Sequence, residues 1–133
     1  MTEVPFLDLE KLHRSDSAEY QEAFKKVLRD SAFILGSDVQ AFEEEFSSYC
    51  GAKFGIGVSN GLDALILTFE ALKEAGKLQE GDEIMVQANT YIASVMAIVR
   101  TGLKPVLVEP NEATHNLDLR GIEKHFTAKT KGV

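Results

Sequence analysis

Apolar positions recur at helical spacing through the first part of this chain, then break into short runs separated by further helical stretches. After an irregular lead, Asp16 with Glu19 three places on reads as a capping pair, and Tyr20, Phe24, Val27 and Leu28 follow on one helical face that ends near Asp30. Ser37 is placed to cap a second helix whose Val39, Phe42, Phe46 and Tyr49 form an apolar stripe. Glu43, Glu44 and Glu45 fall on the side expected to face water, and Gly51 ends the helix. From Lys53 the period shortens. Phe54, Ile56 and Val58 alternate through glycines and predict a short buried strand, after which Asn60-Gly61 opens a helix carrying Leu65, Phe69 and Leu72. Glu83 to Gln87 predicts a second strand, Tyr91 to Arg100 a helix stopped by Gly102, and Pro105 to Glu109 a third strand. Asp118 is placed to cap a last helix with Leu119, Ile122 and Phe126. Lys129-Thr130-Lys131-Gly132-Val133 then reads as the entry to another strand, so the chain is expected to be a fragment of a longer protein.

Strands alternating with helices of this length predict right-handed βαβ units, hence an α/β fold with a parallel sheet and helices on its faces. The expected layout is a helical lead over 1–52 and a βαβαβα stretch over 53–133, with no domain boundary, internal repeat or linker between them. With 133 residues, 44% hydrophobic and 26% charged, the chain has the balance of a soluble globular unit, and disorder is disfavoured. A net charge of −7 without clustered Lys or Arg argues against a nucleic-acid partner. The start at Met1-Thr2-Glu3-Val4-Pro5 lacks the basic and apolar segments of a secretory signal, and no run is long enough for a membrane span. A cytoplasmic location is therefore expected. Cys50, the one cysteine, excludes an intramolecular disulfide and reads as a half-buried filler at a helix end.

In parallel sheets ligands gather at the carboxyl ends of strands, so the turns after Val58, Gln87 and Glu109 hold the candidates. In Ser59-Asn60-Gly61 a strand is expected to hand over to a helix, where free N–H groups and the positive helix end make an anion site without basic side chains. Gly61 admits a phosphate close to the backbone, with Ser59 or Asn60 as further donors; the same residues are equally read as a tight connection capped by Asn60. Tyr91, after the next strand, would project into the same crevice and stack on a flat heteroaromatic ligand, although a core-edge tyrosine has the same signature. Glu109 ends the third strand with a carboxylate. Gly55, Gly57 and Gly61 are misspaced for a dinucleotide fingerprint, and Gln87-Ala88-Asn89 stands where a ribose-binding acid would be expected. No P-loop follows the turn. His13, His115 and His125 lack the paired spacing of metal ligands.

Along nearly its whole length the chain resembles the N-terminal portion of the DegT/DnrJ/StrS group of pyridoxal-phosphate sugar aminotransferases. The resemblance is carried by Pro5-Phe6-Leu7-Asp8-Leu9, Phe33-Ile34-Leu35-Gly36, Phe42-Glu43-Glu44-Glu45-Phe46, Ser59-Asn60-Gly61-Leu62-Asp63-Ala64-Leu65 and Gly81-Asp82-Glu83. Thr90-Tyr91-Ile92-Ala93-Ser94, Pro105-Val106-Leu107-Val108-Glu109-Pro110 and Thr130-Lys131 complete it. The Asn-Gly-Leu-Asp-Ala-Leu, Thr-Tyr-Ile-Ala-Ser and Val-Glu-Pro forms are similar to the subgroup that aminates C3 of dTDP-3-keto-6-deoxyhexoses. The resemblance implies the N-terminal part of the large domain of a fold type I transferase, pyridoxal 5'-phosphate as cofactor, a nucleotide-sugar substrate, glutamate as the usual amino donor, and a homodimer. It implies a cofactor site at Asn60, Gly61, Leu62 and Tyr91: Gly61 and Leu62 offer backbone amides to the phosphate while Tyr91 stacks on the pyridine ring. Leu62 departs from the Thr or Ser frequent in the wider family, which leaves the backbone to do more. Phe33-Ile34-Leu35-Gly36 is implied to lie near the dimer interface.

The resemblance places the Schiff-base lysine and the acid that pairs with the pyridine nitrogen beyond Val133. Lys53, Lys104, Lys129 and Lys131 therefore read as surface residues, and the chain of 133 residues is expected to be catalytically silent alone. Related enzymes carry His in place of that lysine and dehydrate the sugar, so a dehydratase stays open, as does a small phosphate- or nucleotide-binding α/β module.

Overall fold

The computed structural model describes residues 4–133; Met1, Thr2 and Glu3, on which the reading of the N-terminus partly rests, lie outside the described residues. The chain divides into two compact units, one ending at Gly57 and the other running from Val58 to Val133.

The first unit is helical: α1 (Leu9–His13), α2 (Ser17–Asp30) and α3 (Ser37–Tyr49). Helix α1 replaces part of the expected irregular lead because Asp8 caps it, its carboxylate accepting from the Lys11 amide at 2.9 Å. Asp16 precedes α2 as expected, but at φ −104°, ψ 3° its side chain makes no cap bond, so the pair with Glu19 is not a capping box. Helix α3 is capped by Gly36, not Ser37: the Gly36 carbonyl receives the amides of Val39 and Gln40. Gly51 ends it in the left-handed region at φ 66°. Cys50 sits at this helix end, exposed where a half-buried position was expected.

The expected strand from Phe54 to Val58 does not form. Alternation makes a run extended, but a strand requires a neighbouring ladder, and no second run pairs with this one among the described residues. Up to Gly57 the run instead lies along α3. The Gly57 amide donates to Glu43 Oε1 at 2.6 Å, and a Cβ added at Gly55 would lie 2.7 Å from the Glu43 carbonyl oxygen. Glu43 is accordingly half-buried, against the expectation of a solvated glutamate run. The aromatic stripe beside it remains exposed, Phe42 stacking on Phe46 at 5.4 Å and Phe46 on Tyr49 at 6.3 Å.

The second unit is α/β with a parallel sheet. Helix α4 (Gly61–Glu74) leads to β1 (Glu83–Gln87), α5 (Ile92–Arg100) and β2 (Lys104–Val108), then to a 3-10 turn (Ile122–His125) and β3 (Thr130–Gly132). Strand order is β2-β1-β3, with Glu83 opposite Lys104 and Gln87 opposite Val108. Side chains of β1 alternate between two cores, because successive residues of a strand face opposite ways. Ile84 joins Leu78, Ile98 and Leu103 with Phe69 and Leu72 against it, while Met85 joins Val108 and Ile122. The last strand appears where Lys129 to Val133 suggested one. The α-helix expected after Asp118 does not. The Asp118 carboxylate closes on Arg120 at 2.9 and 2.8 Å, and Gly121 at φ 71° admits only the short turn that follows. No helix among the described residues is long and apolar enough to cross a membrane.

Candidate functional site

The start of α4 is built by three polar side chains that satisfy one another. Asn60, in extended backbone at φ −165°, caps the helix: its Oδ1 accepts from the Asp63 amide at 2.9 Å, and its carbonyl from the Ala64 amide at 3.0 Å. Its Nδ2 donates to Ser59 Oγ at 3.1 Å and to Asp63 Oδ2 at 3.2 Å, and the Ser59 hydroxyl donates to the same carboxylate. The side-chain donors that the sequence offered to a phosphate at Ser59 and Asn60 are thus used inside the turn. The Gly61 and Leu62 amides are not: they donate to no acceptor among the described residues, at the positive end of a 14-residue helix. A Cβ added at Gly61 would meet nothing within 4 Å, so this backbone can be approached closely from outside.

Tyr91 stands on the other wall. The turn from β1 into α5 is set by Thr90 N donating to Gln87 O at 3.2 Å, and it delivers Tyr91 as the residue before α5 at φ −62°, ψ 138°. The residue is 79% exposed, and its ring stacks on no other ring among the described residues. Asn60, Gly61, Leu62 and Tyr91 line one cleft of about 600 Å³, together with Leu65, Met96 and Arg100. Two uncommitted amides and an unstacked aromatic ring thus border the same cleft. That arrangement can hold an anion and a flat ring of one ligand at once.

The other candidates lie elsewhere. Glu109, exposed, borders a separate hollow of about 230 Å³ with Asp118, Arg120 and His125. There the Arg120 side chain and amide hold the Asp118 carboxyl far below the usual carboxylate range, and Asp118 raises the Arg120 guanidinium in return. In the first unit a hollow of about 550 Å³ beside His13, Tyr20 and Phe24 contains a charge pair already satisfied, Arg14 on Glu10 at 2.9 Å. Among the described residues no three His, Cys, Asp or Glu side chains converge on a metal position. Lys104 pairs with Glu83 at 3.0 Å, and Lys53 lies 5.2 Å from the Phe54 ring centre.

Two residues of the site escaped the sequence reading. Asp63, which gathers Ser59 and Asn60, had a signal in its three-residue spacing from the cap. Asn89 had none: its side-chain amide donates to the His115 carbonyl at 3.1 Å, a contact across 26 residues of sequence.

The sequence profile of the DegT/DnrJ/EryC1/StrS aminotransferase family matches residues 14–133. Among curated proteins the chain is 47% identical over 130 residues to the dTDP-3-amino-3,6-dideoxy-alpha-D-galactopyranose transaminase of Aneurinibacillus thermoaerophilus, an alignment covering 98% of this chain and 35% of that protein. Among solved structures it is similar to S. venezuelae DesV in complex with a ketimine intermediate, at 41% identity and a TM-score of 0.85 over 98% of this chain and 34% of that one. It is also similar to the E. coli GDP-4-keto-6-deoxy-D-mannose-3-dehydratase with bound hydrated PLP, at 27% identity and a TM-score of 0.76 over 97% and 31%. The chain spans about a third of the length of the curated relatives it matches.

Proposed function

This chain belongs to the DegT/DnrJ/EryC1/StrS aminotransferase family, and on that premise we propose that the whole protein is a pyridoxal-phosphate-dependent aminotransferase that aminates C3 of a dTDP-linked 3-keto-6-deoxyhexose. One observation carries the reading: the uncommitted amides of Gly61 and Leu62 share a cleft with the bare ring of Tyr91. A phosphate on a short arm from a planar heterocycle fits that pair of features. Gly61 and Leu62 hold the phosphate, Asn60 fixes the backbone that presents them, and Tyr91 lies against the ring. Leu62 supplies no hydroxyl, so the phosphate rests on main-chain donors. When bound, the cofactor supplies the electron sink for moving nitrogen from an amino acid, glutamate in this reading, to the keto-sugar. In this reading the tethering lysine lies in the part of the relatives' length that this chain does not span; Lys104, Lys129 and Lys131 do not line the cleft. A cytoplasmic homodimer completes the reading; the exposed Phe33-Ile34-Leu35 run supports a surface that another subunit covers.

The test is to supply the full-length protein with pyridoxal phosphate, glutamate and a dTDP-3-keto-6-deoxyhexose and to follow the sugar nucleotide by mass spectrometry. The expected product carries an amine in place of the ketone oxygen. Loss of a sugar hydroxyl without gain of nitrogen would make the protein a dehydratase. No binding of pyridoxal phosphate, with binding of a nucleotide alone, would leave a nucleotide-binding module.

A further inference from the structure

Among the described residues the Tyr91 ring stacks on no other ring and its hydroxyl makes no hydrogen bond, and the residue is 79% exposed. Its direction is therefore inherited from the turn that delivers it. On one side that turn is continuous with α5, where the Ser94 amide bonds the Tyr91 carbonyl at 3.0 Å and the Thr90 hydroxyl meets Ser94 Oγ at 3.1 Å. On the other it leaves the sheet after Ala88, whose amide donates to the Val108 carbonyl at 2.9 Å. Between these anchors lies Asn89, whose side chain hydrogen-bonds the turn to the neighbouring loop, Nδ2 donating to the His115 carbonyl at 3.1 Å.

The loop it grips is closed by its own hydrogen bonds. Asn111 Oδ1 accepts the amides of Ala113 and Thr114 at 3.0 and 3.1 Å, and the Asn111 amide donates to the Asn116 carbonyl at 2.9 Å. The His115 amide donates to the Asn111 carbonyl at 2.8 Å, and Pro110 bridges Leu117. His115 itself sits in the left-handed region at φ 56°, and its carbonyl accepts from Asn89. A loop closed by its own hydrogen bonds thus offers a carbonyl to a turn whose aromatic ring stacks on no other among the described residues.

We propose that Asn89 is a positioning residue for Tyr91: by clasping the His115 carbonyl it fixes the turn after β1 so that the ring faces the Gly61 amides across the cleft. The inference rests on the proposed cofactor site and adds to it the residue that aims its aromatic wall. Asn89 touches no ligand in this scheme; its effect reaches the cofactor through Tyr91 alone.

That dependence makes a double-mutant cycle the test. In the full-length protein, the dissociation constant for pyridoxal phosphate and the induced circular dichroism of its visible band are measured for the parent, Asn89→Asp, Tyr91→Ala and the double variant, with melting temperatures beside them. Asn89→Asp keeps the size of the side chain and removes the donor. It is expected to weaken binding roughly two- to tenfold, the worth of one neutral hydrogen bond, and to reduce the dichroism. In the Tyr91→Ala background the same substitution is expected to change neither. Equal loss in both backgrounds, or no loss with Tyr91 present, overturns the positioning role while leaving the cofactor site intact. A parent protein that binds no pyridoxal phosphate removes the cofactor reading and this inference together. A Tyr91→Ala variant that binds as the parent does removes the stacking role, and Asn89's with it. Should Asn89→Asp lower the melting temperature, Asn89→Ser repeats the cycle without the added charge.

Discussion

Gly61 carries the sharpest consequence at the scale of single residues. Its φ is not in the left-handed region and a Cβ there meets nothing within 4 Å, so the fold does not require glycine at this position. The proposed phosphate site would, because a methyl group at this position would crowd the approach to the backbone. Gly61→Ala is therefore expected to leave the melting temperature unchanged or slightly raised, since alanine is the better helix residue. It should weaken pyridoxal phosphate roughly tenfold or more, the scale of a lost hydrogen bond to a charged group. Pyridoxal, which has no phosphate, should bind equally to both proteins, and titration of the two ligands decides the matter. The sequence displayed Ser59, Asn60 and Gly61 as candidates because an expected strand-to-helix turn concentrates free amides, and Tyr91 as an aromatic beside it; Leu62 came with the family resemblance. What it could not display was how the turn's own polar groups are spent: Ser59 and Asn60 donate to Asp63, which leaves the main chain as the donor.

Elements were legible where their own side chains decide them. Helix α4 and β1 begin and end where the periodicity places them, because an amphipathic face, a cap and a run of apolar residues are local facts. The segment from Phe54 to Val58 shows the limit: its alternation is real, yet a ladder depends on a neighbour that no local pattern names. Its glycines also acquire a different meaning. Gly55 and Gly57 are not the remnant of a dinucleotide fingerprint but the positions at which this run comes against α3. Gly55→Ala would drive a methyl to 2.7 Å from the Glu43 carbonyl oxygen, a main-chain atom that cannot swing aside. The variant is expected to lose about 1–3 kcal/mol, the usual cost of overpacking, measured by denaturant unfolding. Gly57→Ala, whose nearest neighbour is the end of the Glu43 side chain at 3.3 Å, should lose less. After Asp118 the local signal misled in the opposite way, since an acid that caps helices elsewhere is taken here by Arg120.

On the scale of the molecule, the sheet of the second unit is tied at its lower end by one buried carboxylate. The Glu83 side chain is 7% exposed, accepts from Thr127 Oγ1 at 2.6 Å and from Lys104 Nζ at 3.0 Å, and so joins β1 to β2 and to the approach of β3. Those two contacts, the Thr127 hydroxyl first, hold its carboxyl below the ordinary value of 4.5. A depressed folded value means that the stabilisation is complete above the ordinary value and disappears as pH falls from there through the lower folded one. Glu83→Gln is expected to be less stable than the parent at neutral pH, with the two unfolding midpoints converging in acid; parallel curves across that range would refute the tie. The amino-acid sequence by itself determined the α/β class, the alternation of α4, β1, α5 and β2, and the family, because periodicity, capping and motif order are written in neighbouring residues. Tertiary structure alone decided that the Phe54 run goes unpaired, that Ser59 and Asn60 turn inward, that Glu109 stands apart from the Tyr91 cleft and that Asn89 reaches His115. Each of these depends on a partner distant in sequence or on competition for one donor, and such choices are settled only when the chain has closed on itself.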